Sequence, residues 1–218
     1  MRTLLFLKPD AVVRRYVGAR VIKEILEKGF GIEYFGKASP SREFIAEEHY
    51  GEHKGKFFHE WLVDYASSSY VLVMVLSGDN VIDEVRDMLG DTWPEKAGPG
   101  TVRGKYGVLG GINVAHASDS EESARREIEL WEDFIEMENV DYRKSAEEYM
   151  RKNLDRVMID PVRYREVSKA IIDERIDPDV AQEKFSELLK KESDFSGKGL
   201  ENLAEAMVDN ALLRKEED

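Results

Sequence analysis

The chain has 218 residues, a net charge of −13, 42% hydrophobic residues and no cysteine. That suffices for one ordinary domain plus an appendage, or for two small domains, while disulfides and thiolate metal sites are excluded. The acidic balance argues against nucleic acid or an anionic membrane as partner, so an anionic substrate must be met by a local basic cluster. No apolar run approaches membrane-spanning length and Met1 leads straight into an apolar segment without a signal-peptide pattern, so the expectation is a cytoplasmic protein.

The run Thr3-Leu-Leu-Phe-Leu7 suits a buried central strand, and Lys8-Pro9-Asp10 ends it. Proline stops the ladder and leaves Lys8 at a strand end, where ligand-binding residues of open sheets sit; an ordinary edge lysine is the alternative. Residues 17–28 repeat apolar groups at a helical period (Val17, Val21, Ile22, Ile25, Leu26) and close on Gly29. Residues 30–38 read as a second strand. Residues 41–49 and 57–65 read as a helical hairpin with a dense aromatic set, Tyr50, Phe57, Phe58, Trp61 and Tyr65, most of it core by default, although one or two rings exposed at a cleft could stack on a base. Residues 70–77 form a third strand and 80–89 a helix ending at Gly90.

Residues 90–107 carry five glycines and two prolines, with Thr92, Thr101, Arg103 and Lys105 threaded between them and no helical or strand period. Long ordered loops in compact domains are usually functional, and Arg86 with Arg103 forms a candidate pair of phosphate clamps; a flexible surface insertion is the alternative. The segment Gly110-Gly-Ile-Asn-Val-Ala-His-Ala-Ser-Asp-Ser120 then sets His116 between a short apolar run and a helix. Ser118 and Asp119 are N-cap residues, each with a glutamate three positions on, ahead of the amphipathic run 124–131. An imidazole beside a helix N-terminus is biased toward its neutral form and sits where a phosphate is welcome, though a single histidine near a turn is more often a surface or capping residue.

The order strand, helix, strand, helical hairpin, strand, helix, loop, strand, helix implies an α+β, ferredoxin-like split βαβ sandwich: an antiparallel four-stranded sheet with helices on one face. Beyond it, residues 153–218 read as an α-helical C-terminal extension, with Asp160-Pro161 and Asp177-Pro178 opening two helices and Gly199 preceding a third. Three short helices bury Val167, Ile171, Phe185, Leu189, Leu203 and Met207 poorly alone. They are expected to dock on the rest of the chain or on a neighbouring subunit, as a packing appendage rather than a second active site; a partner-binding module is the alternative.

These residues resemble the nucleoside diphosphate kinase family. The resemblance is carried by Lys8-Pro9-Asp10-Ala11, His49-Tyr50, Phe57-Phe58, Arg86-Asp-Met-Leu-Gly-Asp-Thr92, Gly98-Pro-Gly-Thr-Val-Arg-Gly104, and above all Asn113-Val-Ala-His-Ala-Ser-Asp-Ser120 with Glu127-Ile-Glu-Leu-Trp131. It covers residues 1–152, taking Val140-Asp141-Tyr142 as a closing segment after a short insertion, and leaves 153–218 as extension. It implies that His116 takes the γ-phosphate of a nucleoside triphosphate and hands it to a diphosphate by a ping-pong route. In that reading Lys8 and Asn113 hold the sugar side, Phe58 and Leu62 sandwich the base, and Arg86, Thr92 and Arg103 bind phosphates bridged by Mg²⁺. Tyr50 lies beside the transferring phosphoryl group, Ser118 and Glu127 orient the imidazole, and the protein itself binds no metal. The partners implied are nucleoside di- and triphosphates, with a homo-oligomer, tetramer or hexamer.

Trp93 stands where the family usually has asparagine, Ala97-Gly98 where it has Ser-Lys, and Ile112 where many members have arginine. A nucleotide-sensing paralogue without activity is expected to lack His116, Lys8 or an arginine, and all are present. An RNA-binding module on a similar sheet lacks the basic surface it needs.

Overall fold

The computed structural model describes residues 1–134 and 140–217; the insertion expected ahead of Val140 lies outside them. Its four strands are β1 (Arg2–Leu7), β2 (Gly31–Ala38), β3 (Val71–Ser77) and β4 (Ala115–Ala117), in the order β2-β3-β1-β4 with every pairing antiparallel. Alternation along β1 divides the interior. Leu4 and Phe6 point into one apolar cluster and Leu5 and Leu7 into another, all four fully buried, each worth about 1.5–3 kcal/mol relative to exposure.

Helices therefore cover both faces, not the single face expected. Leu4–Leu7 of β1 and Val71–Leu76 of β3 are unbroken apolar runs, and a strand without a polar face must be covered on both sides. On the Leu5/Leu7 side lie α2 (Arg15–Lys28), which ends on Gly29 in the left-handed region at φ 78°, and α5 (Val81–Leu89). On the Leu4/Phe6 side lie α4 (His59–Ser67) and α7 (Glu121–Trp131).

Four elements go beyond the sequence reading. A short helix α1 (Pro9–Val13) starts directly at the proline that ends β1, and α6 (Val102–Tyr106) lies inside the segment read as loop. The first arm of the hairpin is a brief α3 (Arg42–Phe44) continuing into a π-helix at Ile45–His49. Finally, α8 (Tyr142–Asn153) is capped by Asp141 and packs on α2 and β2, with the Tyr142 ring 5.2 Å from Tyr34.

The extension forms α9 (Pro161–Ile172), α10 (Pro178–Glu192) and α11 (Lys198–Glu217), which pack pairwise, and α9 and α10 open on the expected Asp-Pro. They dock on their own chain. Leu200, Leu203 and Met207 of α11 share a cluster with Leu4, Phe6 and Tyr65, and the Trp61 indole donates to the Ala206 carbonyl at 2.7 Å.

Candidate active site

The β1–β4 register sets Phe6 opposite His116, and the two rings stack with centroids 4.9 Å apart. Just upstream, Val114 has φ 78°, unusual for a β-branched residue, and Ala115 N–H donates to the Asn113 carbonyl at 2.9 Å across it. This strained γ-turn puts the Asn113 and His116 side chains to work within four residues.

Nε2 of His116 is 2.9 Å from Oε2 of Glu127, one turn and a half into α7. A carboxylate only accepts, so Nε2 carries the proton and Nδ1 keeps its lone pair. The same oxygen accepts from the Ser118 hydroxyl at 2.7 Å. Burial pushes the Glu127 carboxyl up, but the hydrogen bonds from His116 and Ser118 and the nearby positive charge outweigh it and hold it below its ordinary value. Ser118 is thus not the N-cap expected, nor is Asp119. That place is taken by Ser120, whose hydroxyl accepts from Ser123 N–H while Ser123 bonds back, because a serine at the third position closes the box that a glutamate was expected to close.

His49 backs the imidazole. It is buried, lies edge-on to His116 at 4.7 Å, and accepts from the Trp131 indole at Nδ1 (3.2 Å). Burial, then the neighbouring His116, push its pKa well down, so it is neutral. His49, His116 and Glu127 are the one group among the described residues with metal-ligand geometry. The carboxylate is already shared by His116 and Ser118 and the Nδ1 of His49 is used by Trp131, so the group reads as a hydrogen-bonded mount for the ring.

The imidazole opens on a cleft of about 580 Å³, within the range of small-molecule sites. Lys8, Tyr50, Phe58, Leu62, Arg86, Thr92, Arg103, Asn113 and Glu127 all line it; Ser118 stays behind, reaching it only through Glu127. Lys8 Nζ donates to Asn113 Oδ1 at 2.7 Å, and Asn113 Nδ2 to the Thr92 carbonyl at 2.9 Å, tying three segments together. Burial and the Arg103 charge bring Lys8 down to about 7, Asp10 opposing. Arg103 donates to the carbonyls of Asn113, Gly90 and Ala115, using three of its five N–H groups to hold the loop and leaving two for the cleft. Burial and then Arg86 lower it to about 10. Burial, reinforced by Glu127, raises the Tyr50 phenol, which stays protonated and able to donate. The net-acidic chain thus gathers Lys8, Arg86 and Arg103 around one opening.

The lining also holds Trp61, one of the aromatic rings read as core or as a stacking platform, and Trp93, noted as a departure from the family; Arg126, and Asn210, Leu213 and Arg214 of α11, were given no role by the sequence. The spacing of the last three, i, i+3 and i+4, marks one helix face, and a polar Asn amid the apolar residues of that helix was the available signal.

A family model described as "Nucleoside diphosphate kinase" matches residues 1–137. The nucleoside diphosphate kinase of Staphylococcus epidermidis is 42% identical over 149 residues, 68% of this chain and 97% of that protein, and that of Pelotomaculum thermopropionicum 50% over 130 residues, 60% and 86%. The crystal structure of nucleoside diphosphate kinase from Encephalitozoon cuniculi matches with a TM-score of 0.58 at 35% identity, covering 66% of this chain and 96% of that one. The chain belongs to the nucleoside diphosphate kinase family.

Proposed function

We infer that the chain transfers the γ-phosphate of a nucleoside triphosphate, ATP among them, to a nucleoside diphosphate through a phosphohistidine on His116. The observation that carries this is the imidazole whose Nε2 proton is pinned by Glu127, leaving the Nδ1 lone pair in a cleft that also holds Lys8, Arg86, Arg103 and the Phe58 ring. Nδ1 attacks the γ-phosphorus, the P–O bond to the β-phosphate breaks, and the diphosphate leaves with the bond pair. An oxygen of a second diphosphate then attacks the same phosphorus, the P–N bond breaks, and the ring regains its lone pair.

In this reading Arg86, Arg103 and Thr92 take the phosphates, Lys8 and Asn113 the sugar side, and Phe58 and Leu62 flank the base. The neutral Tyr50 phenol donates toward the moving phosphoryl group, while Glu127 and Ser118 position the ring. A divalent ion, Mg²⁺ in our reading, would supply charge neutralisation to the phosphates when bound with the nucleotide. The lining fits an ion carried in on the nucleotide: Thr92, Asp119 and Glu122 offer isolated oxygens, with no closed carboxylate cage among the described residues, which suits a cation that keeps its waters. Residues 1–152 act as the catalytic part and 153–218 as an extension, in a cytoplasmic homo-oligomer of four or six chains with no nucleic acid or membrane partner. No described helix is long and apolar enough to cross a membrane.

The test is incubation with γ-labelled ATP, quenching, and exposure to acid or alkali. Label that is acid-labile and base-stable, and absent from His116→Ala, is the expected result. Acid-stable label, or label retained by the variant, overturns the reading.

A further inference from the structure

The last helix does more than complete the bundle. Asn210, nearly wholly buried, accepts from Gly111 N–H at 3.2 Å and donates to the Leu109 carbonyl at 3.0 Å, clasping the backbone that leads into Asn113. The fit is close on both sides. A Cβ at Gly110, where φ is 52°, would lie 3.0 Å from the Asn210 amide, and one at Gly111 would lie 2.4 Å from the Trp61 ring. Gly111 in turn presents its carbonyl to Lys8 Nζ at 3.4 Å. One turn further along α11, the Arg214 guanidinium lies 4.7 Å over the Trp93 indole and 3.6 Å from Glu95, and Leu213 beside it faces the cleft.

We propose that α11 forms a wall of the nucleotide site in cis, with Leu213 and the Trp93-stacked Arg214 packing against the base and Asn210 acting as a positioning residue for the 109–111 backbone. This rests on the reading of the cleft as a nucleotide site. The base end is assigned by chemistry. Leu213 shares the cleft with Phe58, Trp61 and Leu62, all apolar or aromatic, whereas the phosphate-binding cations Arg86 and Arg103 come from α5 and α6. The Arg214 charge is already met by Glu95, and a guanidinium lying flat on an indole extends a stacking platform rather than an anion clamp.

Titration calorimetry tests this on the full chain, with ADP and with ribose 5-diphosphate, which keeps sugar and phosphates but has no base. Leu213→Ala and Arg214→Ala are each expected to weaken ADP about tenfold, a loss of the size given by removing one well-packed contact. Ribose 5-diphosphate should bind them as it binds the original chain. Glu201→Ala, on the exposed side of α11, should change neither. Unchanged ADP affinity, or equal weakening of both ligands, overturns the wall and leaves α11 a scaffold. The readout is independent of the phosphohistidine assay, so loss of one reading does not obscure the other.

Discussion

Nε of Arg14 lies 3.4 Å from Oε2 of Glu192, with both side chains withdrawn wholly from solvent. Arg14 follows α1 and Glu192 ends α10, so the part of the chain that builds the sheet and the C-terminal helices meet through a buried ion pair. Around it the guanidinium donates to the Tyr106 carbonyl at 2.8 Å and lies 4.7 Å over the Tyr164 ring, while the carboxylate accepts from Ile159 N–H at 3.0 Å and from the Tyr164 hydroxyl.

Removing one charge leaves the other buried without its counterion, the costly half of such an arrangement. Glu192→Gln is expected to lower unfolding free energy by about 3 kcal/mol, seen as a lower urea midpoint at unchanged slope. A loss under about 1 kcal/mol would mean that the Tyr106 carbonyl and Tyr164 ring already neutralise Arg14.

In the proposed reading Glu127 acts on phosphate through the His116 ring, its Oε2 being 2.9 Å from Nε2. With Glu127→Ala the Nε2 proton loses its acceptor and the tautomer with Nδ1 free loses its preference, so single-turnover labelling by ATP should slow about 10²-fold. ADP affinity should stay near that of the original chain. Equal damage to ADP binding would assign the residue to substrate contact instead.

Lys8 offers a pH signature. Its pKa is about 7 in the folded chain, against 10.5 for an ordinary exposed lysine. Between these limits the unfolded chain binds more protons, so stability rises with pH through this window, and the full cost of burying the ammonium is present below pH 7. Phosphates entering beside it favour the charged form. ADP binding at pH 8 should therefore take up a fraction of a proton, measured by calorimetry in two buffers of different ionisation heat. Lys8→Met should abolish that uptake; uptake that persists in the variant would place the proton elsewhere.

Gly111→Ala places a methyl group 2.4 Å from a Trp61 ring that cannot swing away, since its indole is held by the Ala206 carbonyl. The expected loss is about 2 kcal/mol of stability, with a weaker ADP affinity because the Gly111 carbonyl also holds Lys8. A stable variant with unaltered affinity would show that α4 and α11 give way together.

Much of this was legible because chemistry and chain position coincide. The apolar runs of β1 and β3 announce buried strands, and the ligand-facing residues lie in short motifs whose spacing fixes their order. What escaped is long-range. That both faces of the sheet are covered was written in the same apolar runs, since neither β1 nor β3 has a polar side. Half of helix α8 is charged, and its buried residues are Tyr142, Ala146 and Asn153, too sparse an apolar stripe to read. The departures at Trp93 and Ile112 gained their meaning only in three dimensions: the indole lies under Arg214, far along the chain, and Ile112 is fully buried in the cluster that includes Leu203 and Met207. No local pattern links those positions.

The left-handed turn at Val114 marks a trade between robustness and purpose. A glycine there would relieve backbone strain on the order of 1–2 kcal/mol, yet it would empty the space that the fully buried Val114 side chain fills and release the backbone that aims Asn113 and His116 into one cleft. Directed selection for thermal resistance therefore has no easy gain at this position, because the strained backbone and the buried side chain come together and the aim of the imidazole depends on both.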